Sequence, residues 1–189
     1  SFHVTGVQTC ALPIYRGGRR VLRPDRTGRR GPGGPTEIIV TSPTGGFDPV
    51  LAHLADLGVD HEVIPCDPDL ADTADFCAAY GIDPEDSANA ILVAGKPRPD
   101  EDRPLALCLV LATHRLDVNG AVRKRLGTRK ASFAGAEETA RITGMAIGGV
   151  TPFGLPSQLP IWIDAAVMER GRVVVGGGSR DRKDRKSVV

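Results

Sequence analysis

Apolar residues recur three and four apart at Phe47, Val50, Leu51, Leu54 and Leu57, which places them on one face of a helix, and Gly58 supplies its stop. His61-Glu-Val-Ile-Pro-Cys66 reads as a short strand, and Thr73–Tyr80 as a second helix ended by Gly81. Asp83-Pro-Glu-Asp86 starts a further helical turn that delivers Asn89 into the strand Ala90–Ala94. Gly95–Arg103, rich in proline and charge, forms a hairpin turn. Leu105–Ala112 is nearly all apolar, as expected of a central strand covered on both faces. Asp117 is placed to cap a helix Val118–Leu126 with Gly127 just past its end, and another helix covers Glu137–Thr143. Strands Ile161–Met168 and Val173–Gly176 follow. The pattern implies an α/β chain of the α+β type, a single domain whose mixed, mostly antiparallel sheet or partial barrel is flanked by helices.

Between the last of those helices and the next strand lies Gly144-Met-Ala-Ile-Gly-Gly-Val-Thr-Pro-Phe-Gly-Leu-Pro156, with four glycines and two prolines. Glycine lets the backbone take positive φ and approach a ligand closely, and proline fixes φ. Such a loop can aim its own amides at a carbonyl or hydroxyl oxygen without a charged side chain. The plainer reading is a rigid connection between core elements.

Gly148-Gly-Val-Thr-Pro-Phe-Gly154, then Leu159-Pro-Ile-Trp-Ile-Asp164, then Val173-Val-Val-Gly-Gly-Gly-Ser-Arg180 form a series. It resembles the YbaK/EbsC family of aminoacyl-tRNA deacylases, related to the editing domain inserted in bacterial prolyl-tRNA synthetases. The resemblance runs from about Phe47 to about Lys183 and is strongest in the Gly/Pro loop and the Gly-rich strand end. It implies hydrolysis of the ester joining a small, mischarged amino acid to tRNA, with Cys- or Ala-tRNA(Pro) as the model substrate. It implies no metal or organic cofactor, and as partners the tRNA acceptor end and an aminoacyl-tRNA synthetase.

The family pattern carries over to Gly148 and Gly149, whose amides would meet the carbonyl, and to Pro152 with Thr151 beside it. It carries over also to Gly176, Gly177 and Gly178 as substrate-binding positions. The family's substrate-binding lysine, just before the strand Ala90–Ala94, does not: Asn89 stands there, and the small polar neighbour is Ala90. Asparagine donates and accepts hydrogen bonds but brings no charge. The alternative to a deacylase using Asn89 is therefore a non-catalytic module of the same fold that binds an aminoacyl end or another small ligand. Asn89 also suits a plain helix-to-strand turn.

The 189 residues carry a net charge of +1 that hides an uneven distribution. Residues 1–35 hold seven arginines against Asp25, while residues 36–179 hold twelve basic and twenty acidic residues. An acidic core is awkward for a nucleic-acid partner, since affinity leans on phosphate neutralisation. The basic cluster Arg115, Arg123, Lys124, Arg125, Arg129 and Lys130 is the candidate tRNA contact, with a solvated helix face as its plainer meaning. Aromatics make up 4% of the chain, so the core rests on Val, Ile, Leu and Ala.

Cys10, Cys66, Cys77 and Cys108 have no C-x-x-C spacing and the histidines complete no ligand set, which argues against metal. Free thiols suit the cytoplasm, and no apolar run is long enough to cross a membrane. His53, His61 and His114 have no partner at nucleophile–base spacing, and Asp164 reads as a turn residue.

Residues 1–35 are expected to be disordered or a non-native extension, their first fourteen resembling translated sequencing adapter. Residues 36–183 form the editing-like domain, shortened at its carboxyl end, and 184–189 a non-native tail. Arg180 and Lys183 would add to a phosphate patch. Loss of a family strand after Val173–Gly176 would leave an exposed sheet edge.

Overall fold

The computed structural model describes residues 48–97, 99 and 102–187. The reading of residues 1–35, and Phe47 of the first helical pattern, lie outside the described residues.

Helix α1 (Pro49–Asp56) begins at Asp48, whose Oδ1 accepts from the amides of Val50 at 3.0 Å and Leu51 at 3.1 Å. This is the N-cap arrangement, and the helix buries Val50 and Leu54. Strand β1 (His61–Pro65) and a 3-10 turn lead to α2 (Thr73–Tyr80), which Gly81 ends at φ 65°. Strands β2 (Ala88–Gly95) and β3 (Leu105–Leu111) form an antiparallel pair running from Ala88↔Leu111 to Ala94↔Leu105. Residues Val118–Val122 wind as a π-helix into α3 (Arg123–Arg125), and Asp117 accepts from the amides of Gly120 and Ala121. The cap read from the sequence is present, with a wider first turn than an α-helix has. Then come β4 (Ala131–Phe133), α4 (Ala136–Thr143), β5 (Ile161–Ile163), α5 (Ala165–Met168), β6 (Arg172–Gly176) and β7 (Arg182–Ser187).

The strands make two sheets, not one. The larger has the order β4-β2-β3-β5, with β5 parallel to β3, and the smaller the antiparallel order β1-β7-β6. Neither closes into a barrel. They meet where Ser87, just before β2, bridges Val174 of β6, and where Ala88, Leu109 and Leu111 pack against Val173 and Val175. On one face of the larger sheet Leu92, Ala94 and Leu107 pack with Val50, Leu54 and Val150. On the other, Val93, Ala106, Cys108 and Trp162 lie under Val122.

Three elements differ from the sequence reading. The strand expected over Ile161–Met168 stops at Ile163, because Asp164 accepts from the Ala166 amide at 3.1 Å and starts α5 instead. Strand β4 is an unforeseen edge of three residues. The edge expected after Val173–Gly176 is paired, because Arg182–Ser187 form β7 in the middle of the smaller sheet.

Five of the six β7 residues are charged, and each has an outlet. Arg182 donates to Asp48 and to Gly177 O, and Arg185 to Glu62 at 3.1 Å. Lys186 donates to Asp184 at 3.1 Å and stands 4.1 Å over the Phe153 ring, which offsets burial of its charge. Lys183 points elsewhere, into the cavity described next. Among the described residues no helix is long and apolar enough to cross a membrane.

Candidate functional site

A cavity of about 360 Å³ opens where the two sheets meet the first turn of α2. Its wall takes Asp72 and Phe76 from α2 and its cap position, Asn89 from β2, Gly148 from the Gly/Pro loop, Gly176 from β6 and Lys183 from β7.

Proline at the start of the 3-10 turn Pro68–Leu70 and Asp72 ahead of Thr73 set the entry to α2. Asp72 makes no side-chain cap bond to the helix, so its carboxylate is left to the cavity mouth, two-thirds exposed, with Arg180 Nη1 at 3.4 Å. Among the described residues it is the one carboxylate in the cavity wall. Thr73 Oγ1 donates to Asn89 Oδ1 at 2.5 Å. That bond uses the asparagine's acceptor and leaves its amide hydrogens.

The Gly/Pro loop and the Gly-rich strand end are two halves of one joint. Gly178 N–H donates to Gly149 O at 2.8 Å. A Cβ built on Gly149 would stand 2.5 Å from the Ser179 carbonyl carbon, and one on Gly176 would stand 2.6 Å from Gly149 O. Real Cβ atoms essentially never come so close to backbone, so these two glycines are required by main-chain contact. Within the loop Gly149 N–H donates to Ala146 O at 2.9 Å, closing a turn. Gly148, at φ 93°, occupies backbone space that side-chain-bearing residues rarely enter, and its N–H makes no hydrogen bond among the described residues.

Two cations brace this loop against the α2 entry. Arg180 Nη1 donates to Ile147 O at 2.9 Å, while its Nε and Nη2 donate to Pro68 O at 3.1 and 2.7 Å. Lys183 Nζ donates to Gly148 O and to Ala71 O, each at 2.5 Å. Its side chain is 5% exposed, its ammonium stands 5.6 Å over the Phe76 ring, and burial lowers its pKa from the usual lysine value. No carboxylate forms an ion pair with it among the described residues.

Of the residues singled out from sequence, the structure thus brings Asn89, Gly148 and Gly176 to the cavity wall. Gly149, Gly177 and Gly178 belong to the joint behind it. Thr151 and Pro152 are buried and lie outside that wall. The loop's far end is fastened by Gly154 N–H donating to His53 Nδ1 at 3.0 Å, which gives that histidine a structural task.

The basic residues are dispersed about the larger sheet. Asn89, Ile91 and Val93 alternate onto one of its faces; Ile91 lines the cavity and Val93 lies under Val122. At about 3.3 Å per residue, α3 therefore sits some ~13 Å along β2 from Asn89. Lys124 is exposed there; exposed Lys130 lies farther along, its O accepting from Lys96 N–H at 2.8 Å just past β2, with exposed Arg129 before it, while exposed Arg115 follows β3 at the other end, where Ala112 N–H donates to Ser87 O. Arg123 Nε donates to Asn119 O at 2.7 Å, and Arg125 lies 4.7 Å over Trp162, which half-commits it to packing. Cys66, Cys77 and Cys108 are free and buried, and burial pushes the Cys108 thiol up to about 12.

Sequence reasoning missed Lys183 as a cavity residue and assigned it to a surface patch. Its only sequence signal was its place three residues after Arg180, in a charged run that pattern rules read as solvated.

Two solved structures share this architecture. The hypothetical protein APE2540 is 20% identical with a TM-score of 0.64, covering 74% of this chain and 89% of its own. A candidate trans-editing enzyme for prolyl-tRNA synthetase is 24% identical with a TM-score of 0.60, covering 73% of this chain and 83% of its own. At such identities the likeness speaks for the fold. The family model of the aminoacyl-tRNA editing domain matches residues 67–184, which span the α2 entry, Asn89, the Gly/Pro loop, the glycine joint and Lys183. The chain belongs to the aminoacyl-tRNA editing domain family.

Proposed function

We propose that the protein is a trans-acting aminoacyl-tRNA deacylase that removes a small, mischarged amino acid, with Cys- or Ala-tRNA(Pro) as the model substrate. The observation that carries this reading is the unengaged Gly148 N–H in the wall of a cavity whose single carboxylate among the described residues is Asp72.

Ester hydrolysis develops negative charge on the carbonyl oxygen, and an amide already aimed at that position lowers the barrier without reorganising. In the reaction the oxygen of a water adds to the ester carbonyl carbon. The carbon–oxygen bond to the terminal ribose then breaks, and the ribose oxygen takes a proton. Free amino acid and deacylated tRNA leave. Gly148 N–H meets the oxyanion, Asn89 offers its amide hydrogens to the ester or ribose, and Asp72 receives the α-ammonium that every aminoacyl ester carries. The resemblance adds the ribose hydroxyl as a participant.

The cavity wall near Asn89 includes Ala88, Ala90 and Val174, which suits a short side chain. Each added methylene in such a pocket is worth about 1–3 kcal/mol of discrimination. Exposed Arg115, Lys124, Arg129 and Lys130, with Arg123, are the phosphate contacts for the acceptor arm.

The test is deacylation of a panel of mischarged tRNAs by the full chain, led by Cys- and Ala-tRNA(Pro), with Gly148→Ala as control. The expected result is turnover by the parent and a loss of about 100-fold or more in the control, the scale of one oxyanion donor. A folded parent that turns over none of the panel yet binds an aminoacyl end would instead establish the binding module, the reading that an uncharged Asn89 favours.

A further inference from the structure

The cavity holds an ammonium with which no carboxylate pairs among the described residues. Lys183 is buried, its carbonyl partners are neutral, and Asp72, the carboxylate of the cavity wall, forms no ion pair with it and stands exposed at the mouth, 3.4 Å from Arg180. Buried charges are ordinarily paired, and one kept unpaired in a cavity marks a place where a ligand brings the opposite charge. An ammonium has three N–H donors. Two are spent on Ala71 O and Gly148 O, and the third is available to the cavity that Lys183 lines.

The spacing suits a shared acceptor. Nζ lies 2.5 Å from Gly148 O, and the nitrogen and oxygen of one residue are about 3 Å apart, so Nζ and Gly148 N stand within ~6 Å of each other. Two donors that both meet one oxygen at about 2.9 Å can be up to ~6 Å apart. Lys183 and the Gly148 amide can therefore close on the same oxyanion from two sides. Asn89, where the family pattern has its lysine, lines the same cavity from β2, a strand of the other sheet.

We propose that the ammonium of Lys183, delivered from β7, is the cavity's oxyanion-stabilising cation and takes over the charge that residue 89 lacks. The inference rests on the aminoacyl-ester reading of this cavity. It makes Lys183 a catalytic residue through its third N–H and a positioning residue through Gly148 O.

The experiment compares the full-length parent with Lys183→Met, Asn89→Lys and the double variant Lys183→Met/Asn89→Lys. Two readouts are taken: deacylation of Ala-tRNA(Pro), and binding of a non-hydrolysable 3′-aminoacylamido adenosine. Folding is followed by circular dichroism and melting. Lys183→Met is expected to lose about 100-fold in kcat, as loss of a charge-assisted hydrogen bond does. The double variant is expected to regain at least tenfold of that, because the ammonium returns to the same cavity from the other strand. A purely structural lysine would not be rescued by a charge placed on β2. A folded Lys183→Met at the parental rate, or a double variant no better than Lys183→Met, overturns the inference. If the parent binds the analogue but hydrolyses nothing, the deacylase reading fails by itself, and loss of analogue binding in Lys183→Met, restored in the double variant, still tests the cation's place.

Discussion

Replacing Gly176 by alanine tests the joint on which the site is built. The new Cβ would fall onto Val150 O and stand 2.6 Å from Gly149 O and 2.7 Å from the Gly149 carbonyl carbon. All three contacts are backbone, so no side chain can swing away, and β6 or the loop must shift by nearly an ångström. Overpacking of this kind costs about 1–3 kcal/mol. Parting the strands of the joint also loses the 2.8 Å bond from Gly178 N–H to Gly149 O, worth about 1 kcal/mol net. The expected total is ~2–4 kcal/mol, a fall in melting temperature of roughly 6–15 °C for a domain of this size. Gly171→Ala is the matched control, since a Cβ there meets nothing within 4 Å and its φ is unremarkable. It should lie within about 0.5 kcal/mol of the parent. Urea unfolding of the three proteins gives the comparison, read from the midpoint with the slope checked for constancy. Deacylation should fall further than stability explains, because an ångström of misplacement at a reacting group costs on the order of 100-fold. A Gly176→Ala protein as stable and as active as Gly171→Ala would refute the joint.

Arg180→Gln should lower kcat by about 10-fold or more with KM and melting temperature close to the parent's. In a trans peptide the carbonyl and the next amide point opposite ways, so the guanidinium that holds Ile147 O also aims Gly148 N–H. An unchanged kcat would separate the loop's orientation from Arg180. Asp48→Asn should destabilise the protein at neutral pH and matter less in acid. Burial pushes the Asp48 carboxyl up, but the amides of Leu51 and Val50 and the Arg182 guanidinium outweigh it and hold its pKa below the usual 3.8. A depressed carboxylate contributes stability that is complete above its unfolded value and is lost as pH falls through the folded one. The parent–variant gap in urea midpoint should therefore be widest near pH 7 and shrink below about pH 4. A gap independent of pH would mean that Asp48 acts without its charge.

Local chemistry made much of the fold legible. Asp117 and Gly81 punctuate helices where the sequence puts a cap and a stop, and the apolar run at Leu105 is the central strand it reads as. Two failures have different causes, one local and one remote. Asp164 ended a strand early because its side chain accepts from the Ala166 amide two residues on, a turn signal outweighed in the strand reading by the apolar run on both sides. Arg182–Ser187 became a central strand because β1 and β6 flank it and because Glu62, Asp48 and Phe153 receive its charges. None of those partners is visible within a window of ten residues.

The site divides along the same line. Both glycine motifs were conspicuous, yet their relation was not, because Gly149 excludes a side chain to make room for the Ser179 backbone and Gly176 to make room for that of Gly149 and Val150, contacts that join segments distant along the chain. The loop's own turn consumes the Gly149 amide and leaves that of Gly148, a difference that two adjacent identical letters cannot express. Asn89 drew attention as an absence of charge, and the charge lay on another strand, in a segment whose composition argues for solvent. A cavity recruits cations by position in space. Reading one strand for its missing lysine finds the deficit, and the pairing of β7 between β1 and β6 brings the ammonium of Lys183 to the same cavity wall.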